Sequence, residues 1–334
     1  MTDKKKDRPF VFVRCMTFNH EAYIEDALNG FVMQQTNFPF VVAIVDDAST
    51  DNTKSVINDF VKNNCIYNHE IDLRTEDYGT VLDVIVKDNP HCIFHIVHLN
   101  ENHYGKKSKL PYFAKYENAA KYVAMCEGDD YWTDPLKLQK QVDFMEENPE
   151  YSMCFHKVDI LSPDVKDIGL YDHLCEREYS AYEIYDRWTI PTCSVLYNRH
   201  KLKPLRPKTC IFGDIVLFLS LANGGKLFCL DFVGGVYRRH SGGVSTQNNN
   251  KLHKALYHQY KEMEKIFPDV REISNKRKIN YLGLLLYDNS SRDTWKFRFQ
   301  YMWLNKRLFI SKFLIITIID YMLIPYVRSY KKKV

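Results

Sequence analysis

The chain has 334 residues with 46 Lys+Arg against 42 Asp+Glu, 45% hydrophobic and 26% charged. That is the balance of a folded globular protein, long enough for one large domain or one domain with an appendage. Basic residues cluster at Lys4–Lys6, Lys306–Arg307 and Arg328–Lys333 and leave no basic stripe through the body, so nucleic acid is not the expected partner.

In chain order, Phe10–Cys15 reads as a buried strand, and Tyr23–Gln35 has helical spacing. Phe40–Val45 is a second strand running into Asp46–Asp47, after which Ser49, Thr50 and Asp51 are natural caps for a helix through Phe60. Asn64–Asn89, with its apolar run Val81–Val86, is read as a helix inserted over the sheet edge. Cys92–Leu99 and Tyr122–Cys126 are further strands, and Asp134–Pro135 opens another helix. Tyr151–Leu161, Ser194–Asn198 and Lys226–Tyr237 read as strands of a mixed second half, and from about Lys251 the pattern is helical. Strands separated by helices predict an α/β fold with a mixed, mostly parallel sheet flanked by helices, followed by a helical C-terminal extension. Ligands bind such sheets at the carboxyl ends of the strands, where the polar runs MTFNHE, DDASTD and EGDD fall.

Glu127-Gly128-Asp129-Asp130 places three carboxylates within four residues after a buried strand. Their repulsion is relieved by a shared cation, and hard oxygen ligands suit Mg²⁺ or Mn²⁺ carrying phosphate oxygens. The alternative is a solvated acidic turn that caps the next helix. The nine Cys stand singly with no CxxC pair, which indicates neither a zinc site nor a disulfide framework and fits a reducing compartment. The opening MTDKKKDRP has no apolar leader, so the expected location is the cytoplasm, at the inner face of the cell membrane if the C-terminal segment attaches there.

The runs Val13–Thr53 and Tyr122–Tyr151 resemble the signature of family 2 glycosyltransferases of the GT-A (Rossmann-like) fold, in the right order over roughly residues 8–245. The resemblance implies a transferase domain over 1–245 and a helical region over 246–334. It implies an enzyme that moves a sugar, with inversion, from a nucleoside diphosphate sugar (a UDP-sugar) to a hydroxyl on a carbohydrate or lipid-linked acceptor, in surface polysaccharide or glycolipid assembly. Met16, Thr17 and Phe18 would line the base pocket, with Asn19 and Glu21 shaping the loop. Asp47 would accept the imide N–H of the base, or else merely cap the next helix. Asp129 would ligate the divalent metal (Mn²⁺ or Mg²⁺), and Glu127, where Asp is commoner, would face the ribose or a metal-bound water. Asp130 would stand behind the metal or near the acceptor.

Lys106, Lys107 or Lys109 would meet the diphosphate, unless they form a solvated charge run. Asp214 matches the general base, although Gly213 replaces the customary acid before it and a helix cap is the alternative. Val236–Ser245 resembles the segment that closes the diphosphate site: His240 would bind metal or phosphate, Arg238 or Arg239 would neutralise departing charge, and Gly242 and Gly243 would let the loop move. Trp132 and Trp188–Ser194 would face the acceptor, with core packing the alternative for Trp132. Leu308–Val327 is apolar but interrupted by Lys312 and Asp320, which favours a helix lying on a membrane surface or docked on its own domain over one that spans. Two rival readings are nucleotidyl transfer, which lacks its glycine-rich loop here, and a non-catalytic nucleotide-sugar binder or membrane scaffold, motivated by Gly213 and Glu127. Phosphorylation at Asp46–Asp47 would leave the EGDD acids without a purpose.

Overall fold

The structure is a computed structural model that describes residues 8–66, 73–162, 171–187, 190–208, 211–241, 243 and 250–287. The chain divides into two compact units: residues 1–180, 189–203 and 220–240, and residues 181–188, 204–219 and 241–334.

The first unit is built on one mixed sheet. Strands β1 (Val11–Thr17) and β2 (Phe40–Asp46) are apolar along nearly their whole length because both faces are covered, as the centre of a parallel sheet requires. Between them runs helix α1 (Ile24–Val32), whose Ile24, Ala27, Leu28 and Phe31 form one buried stripe. Helix α2 (Thr53–Asn64) follows β2. A hairpin follows: β3 (Cys65–Ile66), β4 (Leu73–Glu76) and β5 (Gly79–Val86), all antiparallel within themselves or to β6 (Asn89–Leu99). Helix α3 (Leu110–Glu117) and strand β7 (Tyr122–Met125) complete the central layer, which runs β7-β1-β2-β6 with every pairing parallel.

The second half of this unit contributes β8 (Tyr131–Trp132), helix α4 (Lys137–Glu147), β9 (Tyr151–Leu161), β10 (Arg177–Glu178), β11 (Leu196–Asn198) and β12 (Lys226–Arg238). Strand β11 is antiparallel to both β7 and β9, which makes the sheet mixed, while β9 and β12 pair in parallel. At the α1–β8 contact a Cβ on Gly30 would stand 2.8 Å from the Trp132 backbone nitrogen, so the helix can approach that strand only with glycine there.

One expectation is corrected. Residues 64–89 hold no inserted helix among the described residues; Val81–Val86 is the buried strand β5. Its Val and Ile are β-branched and the run is short, which favours a strand, and a short apolar run does not reveal its period. The helix expected at Pro135 starts two residues later, because Asp134 Oδ1 accepts the Leu136 N–H (2.8 Å) and forms a turn ahead of α4.

The described residues of the second unit include the helices α5 (Ala181–Arg187), the first part of α6 (Gly213–Ala222), α7 (Asn250–Ile266) and α8 (Arg271–Tyr287). Leu282 and Leu285 of α8 pack with Tyr257 of α7, and the buried Lys278 amine is paired with Glu264. Among the described residues no helix is long and apolar enough to cross a membrane. Leu308–Val327 lies outside the described residues.

Candidate functional site

The register aligns Thr17 with Asp46 and Asp46 with His98, so β1, β2 and β6 end on one edge. The loops that follow them and β7 meet there. Asp47 N–H donates to Thr17 O (2.9 Å) and Gly128 N–H to Met16 O (2.8 Å), which ties three loops together through backbone alone.

Asn19 and Glu21 do what loop-shaping residues must. Asn19 takes a left-handed turn (φ 56°), its N–H donates to Ser49 Oγ (2.9 Å), and its Oδ1 accepts from Thr50 N–H (2.8 Å). Glu21 Oε2 accepts the Asn52 N–H (2.8 Å), and the Glu21 N–H donates to Asp51 Oδ2 (3.1 Å). Both side chains therefore hold the β1 loop to the β2 loop. Phe18 is 41% exposed on this loop, Met16 is half-buried, and Thr17 is buried.

The two acids after β2 separate cleanly. Asp46 is a structural group: burial opposes its charge, but His98 Nδ1 (3.0 Å) and Ser49 hold its carboxyl below the ordinary range. Asp47 is also buried; its Oδ1 accepts the His103 N–H (2.7 Å) and its Oδ2 pairs with Lys109 Nζ (2.7 Å). A carboxylate offers about four lone-pair sites, so Asp47 retains acceptor capacity. Of the three lysines considered, only Lys109 reaches this acid. Lys107 is 61% exposed and paired with Glu101, as in the alternative of a solvated charge run.

In the EGDD turn, Gly128 is obligatory: a Cβ would stand 2.8 Å from Thr17 Cβ and 3.0 Å from His20 Nδ1. Glu127 is half-buried. Asp129 Oδ2 lies 3.1 Å from His240 Nε2 and 3.9 Å from His20 Nε2. Burial works against the Asp129 charge, yet the two imidazoles hold its carboxyl below the usual range. Burial lowers the His20 pKa, which favours the neutral ring that metals bind. A carboxylate beside an imidazole is a donor pair that fits a divalent cation, so Asp129 and His240 are the residues that would hold one.

Three expected roles change. Of its two expected places Asp130 loses the one near an acceptor: it is buried, accepts the Arg238 N–H (2.8 Å), and its carboxyl is pushed well above the ordinary range by burial and by Asp129 and Glu127. Arg238 is no loose phosphate ligand: its guanidinium donates to Asp129 O (2.7 Å) and Asp26 Oδ2 (2.7 Å) between the rings of Tyr23 and Tyr131. It fixes the turn that presents Asp129. Trp132 is 1% exposed, packs on Phe31 and donates from Nε1 to Cys193 O (2.8 Å), so it offers no face to an acceptor. Arg239 pairs its N–H with Leu161 O (2.8 Å) and is half-buried; Trp188 and Gly242 lie outside the described residues.

Asp214 belongs to the second unit, in the first turn of α6, where its Oδ1 accepts the Ile215 N–H (2.8 Å). Burial raises its carboxyl above the ordinary range, as a general base requires. The segment before it is held by Gln259, whose Oε1 accepts the N–H groups of Ile211 (2.8 Å) and Phe212 (3.1 Å). Sequence reasoning passed over His20 and His103. His20 stood in view inside MTFNHE, but only the meeting of the β1 and β7 loops brings it to Asp129.

Residues 15–77 match the model for glycosyl transferase family 2. An uncharacterised protein of Mycobacterium tuberculosis is 35% identical over 232 residues, which are 69% of this chain and 58% of that protein. The chain thus spans less than two thirds of the length of its mycobacterial relatives. TuaG of Bacillus subtilis, named as a glycosyltransferase of teichuronic acid biosynthesis, is 25% identical over 262 residues, covering 78% of this chain and 90% of TuaG. Among solved structures, S. aureus TarS 1–349 in complex with UDP-GlcNAc is similar in fold, with a TM-score of 0.53 at 15% identity over 93% of this chain and 79% of that one. The sheet order, the three loops meeting at its carboxyl edge and the likeness to TarS lead to one conclusion: the chain has the GT-A fold, and its N-terminal block, residues 15–77, is the part that matches glycosyl transferase family 2.

Proposed function

We propose that residues 1–245 bind a nucleoside diphosphate sugar, a UDP-sugar, and transfer the sugar with inversion to a hydroxyl of a carbohydrate or lipid-linked acceptor. The observation that carries this reading is the buried Asp47 carboxylate, set between the His103 N–H and Lys109 at the edge where the β1, β2 and β7 loops meet. A carboxylate accepts an imide N–H, and the neighbouring ammonium suits the carbonyl beside it, the pattern that uracil offers. The UDP-GlcNAc of the TarS complex and the polysaccharide named for TuaG lend support.

In this reading Phe18 and Met16 border the base, Glu127 meets the ribose, and Asp214 accepts the proton of the attacking hydroxyl. A divalent cation held by Asp129 and His240, Mn²⁺ or Mg²⁺, would offset charge on the diphosphate as it leaves. Arg238 keeps the Asp129 turn in place, and Arg239 stands on the same strand end. The chain would act in the cytoplasm at the inner face of the membrane. The test is donor hydrolysis and transfer with a panel of UDP-sugars, comparing wild type with Asp214→Asn. Turnover that falls about 10²–10⁴-fold is expected for loss of a general base. A variant as fast as wild type removes Asp214 from the mechanism.

A further inference from the structure

The imidazole of His20 has no part in the reading above, and its placement calls for a reason. Its backbone N–H is pinned to Thr53 Oγ1 (2.8 Å), just after the left-handed turn at Asn19. This turn sends the side chain across to the β7 loop, where the ring fits only because position 128 is glycine. There its Nε2 faces the same Asp129 oxygen that His240 faces, and Tyr23 packs against both rings. One ligand atom from each of His20, Asp129 and His240 lies within 4.8 Å of the others.

Resting on the proposed nucleotide-sugar reading, we infer that His20 is a third protein ligand of the cation, completing a two-histidine, one-carboxylate set. Two consequences follow from ligand chemistry. A site with a single carboxylate and one imidazole needs the diphosphate oxygens to complete it, whereas three protein donors hold a cation before any nucleotide arrives. Two imidazole nitrogens also favour a first-row transition ion such as Mn²⁺ over Mg²⁺, which prefers oxygen donors and retains its waters. The second ring nitrogen fits this role. Thr17 Oγ1 and His20 Nδ1 are both buried without a hydrogen-bond partner, and both crowd the same face of Gly128. A hydroxyl that accepts the Nδ1–H would leave Nε2 to bind metal, as the outer support of a ligating histidine does.

The experiment is a titration of the nucleotide-free protein with Mn²⁺, read by the loss of free-ion EPR signal and by electron spin echo modulation from bound nitrogen. Wild type, His20→Gln, His20→Ala and Asp129→Asn are compared, with thermal melting to confirm that each is folded. Wild type is expected to bind Mn²⁺ without nucleotide, with couplings from two nitrogens and little displacement by millimolar Mg²⁺. His20→Gln and His20→Ala should each lose about tenfold or more in nucleotide-free affinity and show one coupled nitrogen, while Mn²⁺ binding in the presence of UDP persists. Asp129→Asn should lose both. If both His20 variants match wild type in affinity and nitrogen count, or if wild type takes up Mn²⁺ only with UDP, His20 is not a ligand. Failure of the nucleotide reading looks different: UDP then binds neither with metal nor without it.

Discussion

Asp130 offers a sharp test of how the acidic turn works, because the surroundings push the carboxyls of two neighbouring acids in opposite directions. Burial, reinforced by Asp129 and Glu127, pushes the Asp130 carboxyl well above the ordinary range, which favours its protonated form. Its Oδ1 accepts the buried Arg238 N–H at 2.8 Å. Asn has the same shape, no charge and the same acceptor, so Asp130→Asn should change stability by no more than about 1 kcal/mol. Ala strands the Arg238 N–H, worth about 1–3 kcal/mol, and leaves a small void besides. The pH dependence has a definite sign. An acid whose folded pKa is raised binds more protons folded than unfolded, so its contribution falls as pH rises from the unfolded value of about 3.9 through the folded one. Asp130→Asn should therefore match wild type at low pH and equal or exceed it above neutrality. Urea unfolding across this pH range measures both variants, with Mn²⁺ affinity as the second readout. A loss of more than about 3 kcal/mol in Asp130→Asn, or loss of Mn²⁺ binding, would show that the carboxyl is ionised and ligating.

Three further outcomes can be checked by the same methods. The Lys137 amine is buried over the Trp132 ring (3.8 Å), has no hydrogen-bond partner among the described residues, and is pushed down to about 7 by burial. Lys137→Met should raise stability by about 1–3 kcal/mol in urea unfolding, and a comparable loss would mean that the amine has a compensating partner. Ala48 holds φ at 59° in the loop after β2, a left-handed conformation that opposes an L side chain by about 1–2 kcal/mol. Ala48→Gly should be neutral to about 1 kcal/mol stabilising, and Ala48→Val should lose about 1 kcal/mol or more; the reverse order would contradict strain at this turn. Because burial raises the Asp214 pKa, the acid limb of kcat/KM should lie above the ordinary aspartate value of about 3.9 and vanish in Asp214→Asn. An unchanged limb in that variant would assign it to another group.

The parallel centre of the sheet was plain in the sequence because β1 and β2 are apolar on both faces, a pattern that few other elements share. The loops were legible for the same reason: polar runs directly after such strands have one place to go. The hairpin over 73–86 was not, since its apolar run is too short to reveal its period. Asp130, Arg238 and Trp132 show a second limit. A motif gives the residue types present, but whether a carboxyl, a guanidinium or an indole faces ligand or core depends on pairings between residues about a hundred positions apart, such as Arg238 N–H with Asp130 Oδ1. His20 escaped notice on the same account. Lys109 was one of three equivalent lysines until the turn after β6 brought it alone to Asp47.

The central claim is that this edge of the sheet binds a uridine diphosphate through Asp47. Calorimetric titration of UDP, CDP, ADP and GDP into the full chain with Mn²⁺ tests it most directly, with Asp47→Ala alongside. The account predicts that UDP binds, that CDP and ADP, which lack an imide N–H, do not compete, and that Asp47→Ala loses the UDP signal while remaining folded. Absence of binding by any of the four, or UDP binding unchanged in Asp47→Ala, would contradict it.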